Sequence, residues 1–372
     1  MNRPNVILLT VDMVRNDMLG RFPVFTKLKE KGVLFSQMIT YAPYTIASLH
    51  AIFTGLYGKD SKVDAYFKPV KFDKDRCYTL TQYLKDCGYY TQADVMAELT
   101  LPKSGFDVFA LHDEYNEDLL SRHKKLIEDT ARSKAGKNFF LYIHCSNVHT
   151  DIVLNVIKKY QPFDENYFGK LEENLKRYES YVQRAANYLE EIILTVDRHN
   201  LWEDTIFVVL SDHGCGIGEK PGEKAYGVYT YDYSIKVFAY FIYAKLLPRG
   251  KDITLQVRSV DIMPTILDML NIPARPEYKA LEGRSLLPII NGQEAGDRIA
   301  FSETGGLEGP HPSPYSPNVK CVRTPEWKLI YNTTTQKKKL YDLKGDPQEL
   351  NNCLEKYPDI AAGLWNTLKE NL

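Results

Sequence analysis

The sequence has no closely spaced cysteine pairs, no apolar run of membrane length, no internal repeat and almost no net charge, and each absence removes a class of protein. Its six cysteines (Cys77, Cys87, Cys145, Cys215, Cys321 and Cys353) are scattered over 372 residues, without the CxxC pairs of a zinc ribbon or the density of a disulfide-stapled scaffold. They read as reduced thiols. Cys215, close to an Asp-His pair, reads as a small filler in a tight loop rather than a soft metal ligand. The first apolar run, residues 6–11, is interrupted by Thr10 and ends at Asp12. It is too short to span a bilayer and lacks a small-residue cleavage site, so the expectation is a buried first strand in a cytoplasmic protein without signal peptide or transmembrane segment. Lys plus Arg (47) nearly cancel Asp plus Glu (48), for a formal net charge of -1. No global field draws this chain to nucleic acid or anionic lipid, so neither nucleic acid nor membrane is expected as a partner. Oligomeric state is not legible.

What is present is ordinary globular material: 44% hydrophobic and 26% charged residues, enough for one large core with a smaller appendage. Short apolar, β-rich runs at 5–11, 33–35, 89–95, 138–145, 205–210 and 236–243 read as strands. Between them, 25–31, 45–56, 80–87, 119–133, 172–198 and 259–270 carry apolar residues at helical spacing. Strands alternating with helices predict an α/β fold, a three-layer sandwich around a central mixed, mostly parallel sheet. Beyond residue 292 the texture changes: 323–331 and 339–343 read as paired strands and 360–372 as a final helix. The expected division is a catalytic body at 1–292 and a C-terminal subdomain at 293–372, with a small antiparallel sheet and a closing helix.

In open α/β sheets, ligands bind beyond the carboxyl ends of the strands. Asp12, His149 and the pair Asp212-His213 each follow such a run. An Asp-His pair at the end of a buried strand can present oxygen and imidazole to one divalent ion, with Asp12 as a third ligand if its strand is the neighbour. Taken singly, Asp12 reads better as a helix cap and His213 as a satisfied loop histidine. Thr45 falls at or just before a helix N-terminus, where Thr most often serves as an N-cap but where free amides also favour an anion.

The combination of motifs in order resembles a known family. The stretches VDMVRNDMLG at 11–20, FTKLKEKGVLF at 25–35, APYTIASLHAIFTGLYG at 42–58, FFLYIHCSNVHT at 139–150, DTIFVVLSDHG at 204–214, YDYSIKV at 231–237, SVDIMPTILDMLNIP at 259–273, VRTPEWKLIYN at 322–332 and LYDLKGDPQELNN at 340–352 look like those of the sulfatase-like branch of the alkaline phosphatase superfamily. The resemblance implies the same sandwich fold and a metal-dependent ester hydrolase.

Sulfatases build their nucleophile within a Cys/Ser-x-Pro-x-Arg motif. Here the matching residues are Thr45, Ile46, Ala47, Ser48 and Leu49, and threonine cannot be matured to formylglycine. The branch with threonine at this place, which includes nucleotide pyrophosphatases, phosphoethanolamine transferases and lipoteichoic acid synthases, implies Thr45 as a nucleophile toward a phosphoester. Met13 stands where a second Asp is usual and Val228 where some relatives have His, so the implied site holds one divalent ion on Asp12, Thr45, Asp212 and His213, with Mn²⁺ or Mg²⁺ ahead of Zn²⁺ or Ca²⁺. The resemblance further assigns His149 and Lys224 to the catalytic set, with Lys220 the neighbouring choice for the latter. Asn147, His50, Arg15 and His311 are the second-rank substrate contacts, His50 standing in for the arginine absent at Leu49. The expected substrate is a small-molecule or glycan-linked anionic ester. A sulfuric ester, a phosphoglycerol- or phosphoethanolamine-type transfer and a degenerate anion-binding protein are the alternatives.

Overall fold

The strand FFLYIHC at Phe139–Cys145 is buried along its whole length, as a strand covered on both faces must be. In this computed structural model, which describes residues 3–66, 68–133, 136–160, 165–223, 225–305 and 317–371, it lies near the middle of a nine-stranded sheet. In chain order the strands are β1 (Asn5–Val11), β2 (Val33–Ile39), β3 (Tyr90–Val95), β4 (Val108–Leu111), β5 (Phe139–Cys145), β6 (Thr205–Leu210), β7 (Lys236–Ile242), β8 (Lys251–Ile253) and β9 (Val257–Arg258). Across the sheet they run β4-β3-β5-β1-β6-β7-β2-β8, with β9 also beside β2. Only β7 is antiparallel to its neighbours; the other pairings are parallel. The sheet is therefore mixed and mostly parallel, as the alternation of strands and helices predicts.

Alternate side chains of β1 feed two cores. Ile7, Leu9 and Val11 join the apolar layer beneath the helices Pro23–Lys31 and Leu171–Arg198. Val6 and Leu8 face the layer beneath Thr45–Thr54 and Ile262–Met269. The period-2 alternation of a strand thus gives each face its own core, and the result is three layers. No helix among the described residues is long and apolar enough to cross a membrane, and all six cysteines are free.

A second, antiparallel sheet follows: β10 (Ala300–Thr304), β11 (Val319–Arg323), β12 (Trp327–Asn332) and β13 (Lys337–Asp342), paired in that order, with the closing helix Pro358–Asn371. The sequence reading of 323–331 as one strand is corrected here. Pro325 has no amide to give a ladder, and Thr324 Oγ1 accepts from Trp327 N at 3.0 Å, so the chain turns between β11 and β12. This small sheet braces the approach to Thr45. Glu303 N donates to Tyr41 O at 3.0 Å and Ser302 Oγ to Thr40 O at 2.5 Å. Farther out, buried Lys328 and Arg323 both engage Asp232 of the larger body, and Lys328 also pairs with Glu349 at 2.8 Å.

Candidate active site

The register of the central strands assembles the site. Thr10 of β1 pairs with Leu210 of β6 on one side and with His144 of β5 on the other. Two residues past Thr10 and Leu210, Asp12 and Asp212 leave neighbouring strands at the same level. The condition left open by the sequence, that the two strands adjoin, is met. Ser48 Oγ donates to Asp212 O at 2.7 Å, which pins the helix Thr45–Thr54 against the end of β6.

Asp12, Asp212 and His213 are buried, and one ligand atom of each lies within 4.8 Å of the others. His213 Nδ1 donates to Gly214 O at 2.7 Å, which turns Nε2 toward Asp12 Oδ1 at 3.3 Å and, farther off, Asp212 Oδ2 at 3.9 Å. Residue 214 has to be glycine: a Cβ there would meet Tyr233 O at 2.0 Å. Asp12 Oδ1 and both carboxylate oxygens of Asp212 are buried without a hydrogen-bond partner. Burial, and then the charge of Asp12, push Asp212 up to about 6. Burial works the same way on Asp12, but a hydrogen bond from His144 and the charges of His213, His149 and His144 hold it well below the usual carboxylate range. Acceptors facing one another in a dry site are unfavourable unless a cation lies between them. Two carboxylates and an imidazole with its far nitrogen anchored fit a divalent ion.

Thr45 is the first residue of its helix. Tyr44 occupies the N-cap, and no side chain caps the helix. The Thr45 hydroxyl is therefore not spent on capping; Oγ1 lies 3.4 Å from Asp12 Oδ2 and 3.2 Å from His213 Nε2.

His149 stands on the helix Asn147–Ile152, just beyond β5. Its Nδ1 lies 2.9 Å from Glu114 Oε2 and its Nε2 3.3 Å from the Tyr226 hydroxyl. The Tyr226 ring also lies against His213, with ring centroids 5.4 Å apart, so one ring touches both histidines. Burial disfavours its charge, but the hydrogen bond to Glu114 and the fields of Asp12, Glu114 and Asp212 prevail, and its pKa is raised.

Three members of this site were not singled out from the sequence: His144, Glu114 and Tyr226. His144 Nε2 donates to Asp12 Oδ2 at 3.2 Å, with its Nδ1 3.0 Å from the Tyr142 hydroxyl. Its signal was present, a histidine inside an otherwise apolar strand. Glu114 follows β4, an edge strand with exposed Val108 and Leu111 that has no clear pattern.

Of the second-rank residues, Arg15 is engaged by the protein itself. Its guanidinium grips Asp17 at 3.0 and 2.7 Å, bonds Cys215 O at 3.2 Å and pairs with Glu219. His50 is engaged likewise. Its Nδ1 donates to Ile46 O at 2.8 Å, its ring lies edge-on to Phe72, and burial pulls its pKa down to about 4, so it brings no charge to replace an arginine. Leu49 is core. Asn147 is half-buried on the first turn of the His149 helix. Lys224 and His311 lie outside the described residues. Lys220 reaches away from the cluster, to Glu349 O and over the Tyr231 ring. Met13 packs into the core with a left-handed φ of 63°, and Val228 is buried, so neither position supplies a second set of ligands. Left-handed backbone at a non-glycine residue beside a ligand is strain of the kind functional sites retain.

A family profile described as Sulfatase matches residues 4–272, and one described as N-sulphoglucosamine sulphohydrolase, C-terminal, matches residues 226–372. Arylsulfatase K of Rattus norvegicus is 30% identical over 237 residues, covering 58% of this chain and 39% of that protein. The chain thus spans well under half the length of that relative. Among solved structures, the phosphonate monoester hydrolase of Agrobacterium radiobacter superposes with a TM-score of 0.77 at 18% identity, covering 99% of this chain and 95% of that chain. A protein in complex with its substrate D-glucosamine-2-N,6-O-disulfate superposes with a TM-score of 0.76 at 16% identity, covering 99% and 97%. At such identities the likeness is one of fold.

Proposed function

The chain belongs to the sulfatase family, within the alkaline phosphatase superfamily, and on that footing we propose that it is a divalent-cation-dependent ester hydrolase with Thr45 as its nucleophile. The observation that carries this is the placement of Thr45 Oγ1, free of any capping role, 3.4 Å from Asp12 Oδ2 and 3.2 Å from His213 Nε2. Asp12, Asp212 and His213 would hold the cation, with Thr45 Oγ1 at its edge. Such an ion supplies charge that lowers the pKa of the hydroxyl and offsets the negative charge of the transferring group.

The chain's own residues supply the rest. The amides of the first turn, from Thr45 onward, have no partner within the helix and point at the oxygens of an anion seated there. With its hydroxyl proton given up to solvent, Thr45 Oγ1 bonds to the central phosphorus, the ester oxygen departs with a proton from His149 Nε2, and a covalent phosphothreonine remains. Water then attacks the phosphorus and gives one proton back to His149, while Thr45 leaves as the alkoxide and takes back from solvent the proton it lost. Threonine carries a single hydroxyl, so the intermediate is cleared only by this second displacement. That route favours a phosphoric ester.

A sulfuric ester is the second reading, favoured by the family match itself and by the arylsulfatase relative. The organic part is read as a small molecule or glycan, in keeping with the disulfated glucosamine bound by one structural neighbour. Both readings are tested by turnover of nitrophenyl phosphodiester, phosphomonoester, phosphonate and sulfate by cation-depleted protein. Mn²⁺, Mg²⁺, Zn²⁺ or Ca²⁺ is added back singly, beside Thr45→Ala. Cation-dependent turnover lost in the variant establishes the nucleophile and names the ester; turnover indifferent to Thr45→Ala refutes it.

A further inference from the structure

Glu114 has no place in the steps above, yet its carboxylate is fixed more firmly than a surface glutamate needs to be. Oε2 accepts from Thr150 Oγ1 at 2.9 Å and faces His149 Nδ1 at 2.9 Å, so one oxygen is gripped by two consecutive residues of the His149 helix. The loop that carries it is braced too. Asp113 accepts from Tyr115 N at 2.9 Å and from Asn116 Nδ2 at 2.7 Å, and its own amide donates to Glu117 Oε1 at 3.1 Å.

Two residues before Glu114, buried His112 anchors the loop to the sheet. Its amide donates to Val95 O at 3.0 Å and its Nδ1 to Asp94 Oδ1 at 2.6 Å. The group Asp94, His112 and His123 has the residue types of a metal site. However, the Asp94 carboxylate is already filled by three donors: His112 Nδ1, His123 Nε2 at 3.2 Å and Arg122 Nε at 2.7 Å. His123 Nδ1 is taken by the Tyr188 hydroxyl at 2.7 Å. The cluster is a knot of hydrogen bonds that leaves His112 Nε2 buried without a partner, and what it holds in place is the segment leading to Glu114.

We propose that Glu114 is a positioning residue for His149: by accepting the Nδ1 proton it fixes the ring so that Nε2, 3.3 Å from the Tyr226 hydroxyl, faces the ring that also lies against His213. An imidazole with one nitrogen held by a carboxylate has one tautomer and one orientation. This rests on the reading of His149 as the group that protonates the leaving oxygen, and it adds that Glu114 makes that transfer efficient. Burial works against ionising Glu114, but the His149 hydrogen bond and charge and the Thr150 hydrogen bond keep its pKa below the usual range, so it stays an acceptor.

The test compares wild type, Glu114→Ala, His149→Ala and the double variant on esters of one acid with nitrophenol and with a simple alcohol as leaving groups. A nitrophenolate leaves without a proton; an alkoxide needs one. In kcat/KM, which reports the step in which the leaving group departs, Glu114→Ala should lose roughly 10- to 100-fold on the alkyl ester and change little on the nitrophenyl ester, with no further loss when His149→Ala is added. Equal losses on both esters while His149→Ala still separates them, or additive losses in the double variant, would mean a merely structural glutamate and overturn the proposal. Long-range ¹H–¹⁵N spectra give an arm independent of turnover. Recorded above the pKa of the ring, where it is neutral, the His149 signals should place the proton on Nδ1 in wild type and shift it toward Nε2 in Glu114→Ala; the second proton, on Nε2, is the one given to the leaving oxygen. An unchanged ring in the variant overturns the assignment even where the protein proves inactive on every ester. If the ring shifts but His149→Ala affects both leaving groups alike, the positioning stands and the acid role of His149 falls.

Discussion

His213 Nε2 and Asp12 Oδ1 face each other across 3.3 Å, and Nδ1 of the same ring is spent on Gly214 O at 2.7 Å, which fixes the ring with Nε2 toward the carboxylate. Two residues from neighbouring loops are thus set for a cation that neither provides.

The first expectation concerns that gap. A cation that binds only the folded chain stabilises it by about 2.7 kcal/mol at a hundredfold excess over Kd, seen as a rise in Tm on adding Mn²⁺ or Mg²⁺. Asp212→Asn should abolish the rise. Without cation the variant should be at least as stable as wild type, because burial and Asp12 already oppose the Asp212 charge, and neither of its oxygens has a partner. Differential scanning calorimetry with and without chelator reads both signs.

Thr45→Ala should lower kcat on the responsive ester by on the order of 10³-fold or more while leaving the melting temperature nearly unchanged, since the hydroxyl caps nothing. Thr45→Ser keeps the nucleophile and should retain part of the rate. Steady-state kinetics beside thermal melts separate the two.

Arg15 should behave as a clamp. Arg15→Ala removes a buried cation from between Asp17, Glu219 and Cys215 O and should cost roughly 2–3 kcal/mol in urea unfolding, with KM for the ester unaltered. A large rise in KM with unchanged stability would return it to the substrate.

Stability should fall as pH rises through the window of Glu223. Burial pushes its carboxyl from the ordinary 4.5 up to about 8. Between those values the folded chain keeps a proton that the unfolded chain has lost, so the unfolded state binds fewer protons and gains relative to the native state as pH rises, by at most about 1.4 kcal/mol per pH unit. Glu223→Gln should flatten that slope in urea titrations from pH 5 to 9.

Much of the fold was legible because burial leaves a periodic trace. The all-apolar runs of β5 and β6 and the amphipathic stretch of Leu171–Arg198 announce themselves. β4 did not, since an edge strand with exposed Val108 and Leu111 lacks the pattern of a covered one. Pro325, read inside a strand, was the residue that divided it. Asp12, Asp212 and His213 were legible as strand-end residues, but their meeting depended on β1 lying beside β6, a fact of topology that no local pattern contains. Arg15 and His50 carried the chemistry of an anion site, and the structure spends both on the protein itself. Glu114 was illegible because what matters about it is a neighbour 35 positions away.

The adjacency of β1 and β6 also sets an order of events during synthesis. Asp12 is made two hundred positions ahead of the Asp212-His213 pair at the tip of the strand that must lie beside it. Over that interval the nascent chain holds one side chain of the cluster without the other two. A chain that stalls before residue 213 cannot bring Asp12, Asp212 and His213 together, however well its earlier strands pair.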